Sequence, residues 1–551
     1  MSFQENKKTA KNKLLLQQHF RFHAFHPKAV NTCLLLAGLL ASHPLNILPI
    51  PFDRNSGCSD SKVCLNGMGY SYGDSAGITP NFPFNHLTEA DEPVTQQMYI
   101  FILMKGNQQL NVFSFTMIVV GLVIGMGIFR SAATSAQHAI EPSVYFAAWL
   151  IGGFVALCGA LTYAEIGSRF PVTGGYYKVF SYAYHPSIAF AINCIILISN
   201  AASLSVVAII GSGYIAKLFP GTPWTDVDKA LLSAGAIILF YFINLRGLRM
   251  SSRAQNILMV IKISMILVLI AALFFPYDSG AAAAAVADSA TVSIPPTPQM
   301  SWIQSLGYSL IAVSFTYGGY QQTINFGSEV KDPARNIPKG IFFGIAIIIG
   351  LYLLVNFSYY QIVGFEQMKG EKEIAYVVID KVFGPKGAAV FSFFLFFGVL
   401  AYVNALLMSN PRVMFAMSDE GTIPKIFSKQ NEKNGVLVVS LTVFTLTCLI
   451  ILFFAQTFDA ILNFTIFLDC FGMVASSATI FKLRKQTKHL DGSGIYKMKL
   501  FPLLPLIFMA TYCFVGVSIA IQTPNTALIG TAVLAAFMAI YYISQQFKKR
   551  A

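Results

Sequence analysis

The chain has 551 residues, 55% of them hydrophobic and only 11% charged. Soluble domains carry about a quarter charged residues, so a water-solvated globule is excluded and lipid is the expected solvent. The net charge of +13 sits in short stretches between apolar runs, which makes it an orientation signal and speaks against nucleic-acid binding.

Residues 1–103 differ in composition from the rest of the chain. They are rich in His, Asn and Pro, and their one apolar patch, near Cys33–Leu40, is too short to span a bilayer. The basic region before that patch is too long for a good signal peptide. A disordered extension is expected, or an upstream start, since Met98 and Met104 both precede the first span; function should survive its removal.

Residues 104–551 read as one transporter domain. Long apolar stretches lie near 112–133, 144–166, 186–216, 230–245, 254–275, 302–328, 338–363, 388–417, 435–456, 459–481, 500–521 and 526–546. Each is long enough, or nearly so, to cross a hydrocarbon core of roughly 30 Å at 1.5 Å per residue. The expected fold class is an all-α membrane protein with twelve transmembrane helices.

Basic residues set the orientation. One side collects Arg169, Lys178, Arg246, Arg249, Arg253, Lys331, Arg335, Lys339, Lys425, Lys429, Lys433, the cluster from Lys482 to Lys499, and Lys548 to Arg550. The other has Lys217, Lys229 and the balanced Glu366–Lys386 loop. The positive-inside rule then places both termini in the cytoplasm, and a plasma (cell inner) membrane location is expected.

Chemistry beyond transport finds no footing in the spans. Cys158, Cys194, Cys448, Cys470 and Cys513 lie in apolar runs, where a thiol behaves as a small hydrophobe. Cys33, Cys58 and Cys64 lie in the extension, and nothing beyond proximity suggests that Cys58 and Cys64 pair. No metal-ligand spacing and no intramembrane His/Asp/Glu cluster is present, so no enzyme, metal or cofactor is expected.

The Asp278–Met300 stretch, with five successive alanines and Pro295-Pro296, reads as an external linker between two halves, about 112–275 and 302–481, followed by two helices at about 500–546. Each half opens with a glycine-interrupted helix: Gly121, Gly125 and Gly127 in the first, Gly318 and Gly319 in the second. Glycines at corresponding places in two halves point to an inverted-repeat transporter, although small residues also serve plain helix packing.

Unwinding at Gly125–Gly127 would free the amides of Met126, Gly127 and Ile128 at the positive end of the following half-helix, a seat for a carboxylate. A break at Gly318-Gly319 would free the carbonyls of Ser314, Phe315 and Thr316 at a negative helix end, suited to an ammonium group. Ile124 and Tyr317 flank the two breaks. Together these ends fit a zwitterionic α-amino acid without any charged side chain.

Several motifs then carry a resemblance. Gly121 through Phe129 resembles the first-helix signature of the amino acid–polyamine–organocation transporters. Tyr163-Ala-Glu165-Ile-Gly167 through Arg169-Phe-Pro171 and Gly174-Gly175-Tyr176 is similar to that family's stretch after helix 2. Gly318-Gly319 through Glu329-Val-Lys331-Asp-Pro333 and Asn336-Ile-Pro338 is similar to its sixth helix and following loop, and Asn410-Pro-Arg412 through Asp419-Glu-Gly421 and Pro424 to its eighth. The resemblance covers about residues 110–547. It implies ten helices in two inverted five-helix repeats plus two more, as in leucine-transporter-like folds, with substrate near the bilayer midplane. It also implies that Phe315 stands where an aromatic caps the substrate.

Lys262 lies about eight residues, roughly 12 Å, inside its span. Snorkelling gives it a structural reading. The resemblance implies another, an ammonium in place of a sodium ion between the first, fifth and eighth spans, with proton-coupled transport or uncoupled exchange. Asp469, the other mid-span ionisable residue, is costly alone, so it is expected to find a partner or titrate neutral, in local pairing or with a part in coupling. Glu165 with Arg169, and Glu329 with nearby basic residues, are expected at cytoplasmic helix ends as exposed pairs of small effect, or as an inner gate.

The reading is secondary active transport of amino acids by alternating access, by proton symport or by exchange against a counter-substrate, with the lipid bilayer as the other partner. No acidic residue stands centrally in the first, third, sixth or eighth span, so neutral substrates lead and polyamines or cationic amino acids trail. A sensor that binds amino acids without moving them is the alternative from another class.

Overall fold

The computed structural model describes residues 109–276 and 300–550, apart from residues 126, 220, 372, 455–457 and 492–493. The expected extension at 1–103, nearly all of the linker at 278–300, the residues Cys33, Cys58 and Cys64, and Met126 lie outside the described residues.

Helices form wherever the apolar runs predicted them, and local chemistry marks their ends. Helix α1, Val112–Val123, starts where the Asn111 side chain accepts the Ser114 N–H at 2.8 Å, and α2 follows at Gly127–His138. Prolines open α3, Pro142–Arg169, and α5, Pro186–Ala216, with the short α4, Gly175–Ala183, between them. A proline in the first turn loses nothing, because that amide has no helical partner. Capping boxes open α6, Asp226–Leu245, through Thr225 and Asp228, and α8, Trp302–Tyr317, through Ser301 and Gln304. Between these lies α7, Leu248–Ala271.

After α8 the chain makes two 3-10 turns, Tyr320–Asn325 and Gly327–Glu329. Then come α9, Pro333–Val363, α10, Phe365–Gly370, and α11, Ile374–Asp419, which is two helices joined across a kink at Gly384. The chain closes with α12, Val438–Phe454, α13, Phe458–Gln486, α14, Leu503–Gln522, and α15, Pro524–Arg550. Among the described residues there is no strand, only isolated bridges pairing Leu110 with Val330 and Thr173 with Phe326.

By length and composition, nine helical stretches among the described residues can cross a membrane, counting Val112–His138 as one. The other three expected spans form α6, α8 and α12, of 20, 16 and 17 residues. The expected span at 302–328 stops early, because Gly318 leaves the helical region and the chain continues as a 3-10 turn.

The packing sets the site between the two interrupted helices. α2 lies along α8, α1 along α9, and α3 along both α8 and α9, while α5 and α7 pack on α11.

Candidate functional site

Both glycine-marked helices break. At the first break Ile124 ends α1 and its N–H still bonds the Val120 carbonyl at 2.7 Å. The Gly125 N–H turns back to the Val123 carbonyl at 2.7 Å, and α2 begins at Gly127. A continuous helix would have used the Ile124 carbonyl four residues on. Here the ammonium of Lys262, wholly buried on α7, donates to that carbonyl.

At the second break the Gly318 N–H bonds Phe315 O at 3.2 Å, and Gly319 adopts φ 110° with its N–H on Gln321 Oε1 at 2.9 Å. A Cβ on Gly319 would stand 2.2 Å from the Leu122 carbonyl oxygen, which is backbone and cannot give way. Glycine is required there twice over, by conformation and by space. A Cβ on Gly127 would likewise lie 3.1 Å from Thr316 Cα, so the start of α2 is pressed against the end of α8.

Tyr352, buried on α9, ties the breaks together. Its hydroxyl lies 3.4 Å from Val123 O and 3.3 Å from Thr316 O, and its one proton serves two carbonyls at once. Thus Phe315 and Thr316, whose carbonyls the break was expected to free, already have partners in Gly318 and Tyr352. Each carbonyl keeps a second lone pair.

One cavity opens where the breaks meet. Gly125, Gly127, Ser314, Phe315, Thr316, Gly318 and Gly319 all line it. Ile124 and Ile128 are buried off its wall, and the Tyr317 ring packs instead against Trp149 and Tyr352, at 5.9 and 5.1 Å between centroids. Met126 lies outside the described residues.

The other polar lining comes mostly from residues outside the motifs. Asn200 and Ser203 come from α5, Gln321 and Gln322 from the turn after α8, Tyr402 from α11, Thr465 and Asp469 from α13, and Tyr512 from α14. The amides form a chain: Asn200 donates to Asn410 at 2.7 Å and accepts from Gln322 at 3.1 Å, and Ser203 pairs with Tyr402 at 2.9 Å. Uncharged polar residues inside apolar runs were the available signal, since in lipid they are kept only where another group meets them. Of the alternatives for Asp469, the local partner is not met: among the described residues it has no hydrogen bond or ion pair, and it faces the cavity.

Glu165, Arg169 and Glu329 lie away from the cavity, at the end of the bundle where α1 begins. The expectation of weak, exposed pairs fails for Glu165 and Arg169. Glu165 is wholly buried and accepts from Arg169 Nε at 2.7 Å, from Arg484 Nε at 2.7 Å and from the Met498 N–H at 2.8 Å. Arg169 extends the network to Asp491 at 2.7 Å, which also meets Lys497 at 2.8 Å. These bonds, Lys497 foremost and then Arg169, hold the Asp491 carboxyl at about 2, below its usual range. Glu329 makes a two-pronged pair with Arg412 at 2.8 and 3.0 Å, and that guanidinium stacks on Phe326.

A helical bundle with apolar spans and a cavity of mixed polar and apolar lining set between two helix breaks is the build of a membrane carrier of small solutes. Comparison with known proteins gives the family. Residues 110–544 match the amino acid permease family, and the chain belongs to it. The chain is similar to the serine/threonine exchanger SteT of Bacillus subtilis (strain 168), 23% identical over 77% of this chain and 94% of that protein. It is also similar to the human large neutral amino acids transporter small subunit 2, 24% identical over 77% of this chain and 78% of the relative. The mouse Asc-type amino acid transporter 1 is 22% identical, with 79% and 81% covered.

Proposed function

We propose that this amino acid permease carries neutral amino acids across the plasma membrane by alternating access, exchanging one for another. The carrying observation is the cavity bounded by the start of α2 and the end of α8. A helix N-terminus attracts a carboxylate and a helix C-terminus an ammonium, so the two breaks fit the poles of one zwitterion. In this reading the carboxylate sits at the α2 end beside Gly125 and Gly127, the ammonium at the α8 end beside Phe315 and Thr316, and Phe315 caps the bound solute. Relatives named as a serine/threonine exchanger and a large neutral amino acids transporter favour neutral substrates and exchange.

The finer architecture is part of the proposal: twelve crossings, the first ten in two inverted five-helix repeats, with both termini cytoplasmic. The packing of α3 on α9, the second span of each half, supports the repeat. Lys262 holds the first break together and is the coupling residue; Glu165, Arg169 and Glu329 form the inner gate.

Counterflow in proteoliposomes tests the reading. Vesicles preloaded with about 1 mM of a neutral amino acid, well into the usual range of transporter saturation, should accumulate labelled substrate faster than empty ones. Saturable binding without any flux would make the protein a sensor and end the transport reading.

A further inference from the structure

The two helix ends address only the carboxylate and ammonium that every α-amino acid shares. They cannot tell one amino acid from another, so choice falls to the remaining lining. Most polar groups there are engaged: Asn200 with Asn410 and Gln322, Ser203 with Tyr402. The α13 wall differs. Thr465 and Asp469 are four residues apart and share one face of α13, and both line the cavity. The Thr465 hydroxyl is buried without a partner, and no described residue donates to the Asp469 carboxyl. A buried hydroxyl without a partner is costly, and the half-buried Asp469 carboxyl turns accepting oxygens to the cavity, so these two are placed to be met by the occupant.

We propose that Asp469 is the specificity residue, accepting a hydrogen bond from a donor on the substrate side chain while Thr465 offers a second contact. The carrier then favours amino acids with a short hydroxyl- or amide-bearing side chain over their apolar isosteres. This rests on the cavity being the amino acid site. A carboxyl has an accepting oxygen whether or not it carries a proton, so the role does not depend on its charge. A cationic side chain would also satisfy Asp469. It would, however, add a charge to a core that already holds the buried ammonium of Lys262, and excess charge in a bilayer interior is costly. A neutral donor leaves Lys262 and Asp469 balanced.

Threonine and valine have the same shape and differ by a hydroxyl against a methyl. In proteoliposomes holding the full chain and preloaded with threonine, labelled threonine uptake is competed with unlabelled threonine, valine and lysine. Threonine should compete at least ~10-fold better than valine, because a site built for a hydroxyl rejects the analogue lacking it. Asp469→Ala should bring the two within about threefold, again by loss of that one contact. Asp469→Asn, whose amide oxygen still accepts, should keep part of the preference. Valine equalling threonine in the unaltered protein overturns the proposal, as does a threonine preference that Asp469→Ala leaves intact, or lysine as the best competitor. If Asp469→Ala does not fold, the unaltered ratio and Asp469→Asn decide. Failure to take up any amino acid would overturn the transport reading with it, whereas uptake without this choice overturns the proposal alone.

Discussion

Gly319 shows how little freedom a single residue has at this site. Its φ of 110° and the Leu122 carbonyl 2.2 Å from where a Cβ would lie both forbid a side chain. Gly319→Ala is expected to cost about 1–3 kcal/mol in strain and to abolish uptake, since relief requires α1 and α8 to separate. Normal uptake with an unchanged melting temperature would contradict this. Lys262 acts at the facing break. Lys262→Met leaves the Ile124 carbonyl buried without a donor, a loss of about 1–3 kcal/mol, and should abolish transport. Proton-independent uptake at the normal rate in Lys262→Ala would remove this residue from coupling.

Among the elements, α3 and α13 are joined by charge as well as by packing. Glu165 binds two guanidinium groups and a backbone amide while fully excluded from solvent. Removing one partner of a buried ionic cluster strands the others, so Glu165→Ala should destabilise the protein by about 3–5 kcal/mol, measurable by thermal unfolding in detergent. A loss below about 1 kcal/mol would mean that the cluster behaves like an exposed pair. The loop after α13 adds a pH dependence. Asp491 titrates at about 2 when folded, below the ordinary carboxylate value, so its contribution is present above about pH 4 and is lost as pH falls toward 2. Asp491→Asn should flatten the stability profile over that window and leave it unchanged near neutrality.

At the scale of the molecule, the bundle separates two kinds of polar group. Uncharged amides, helix ends and the Asp469 carboxyl line the cavity, while the ion pairs of Glu165 and Glu329 gather at the end where α1 begins. That division suits a carrier. Under the proposed function the cavity accepts and releases a zwitterion, whereas ion pairs serving as the proposed gate hold firmly in one state and exchange partners in another. Blocking the gate should therefore lower flux while sparing binding. A Glu329→Gln variant is expected to bind substrate in a thermal-shift assay with little change but to transport it slowly. Equal loss of both would place Glu329 in folding instead.

The sequence by itself determined the helices, their approximate ends and the two places where they break. These depend on local chemistry: apolar runs of bilayer length, prolines and capping residues at starts, glycines where the chain turns. It also carried Lys262 and Asp469 as exceptions, since an ionisable side chain in an apolar run is conspicuous without any coordinates. Only the tertiary structure decided their surroundings. Lys262 meets a carbonyl 138 positions away, Tyr352 bridges two helix ends, and Asp469 faces the cavity with no hydrogen-bond partner among the described residues. Such pairings depend on which face each helix turns inward and how far it slides along its neighbours. Residues within one helix cannot specify that, because in lipid the outward and inward faces are nearly equally apolar.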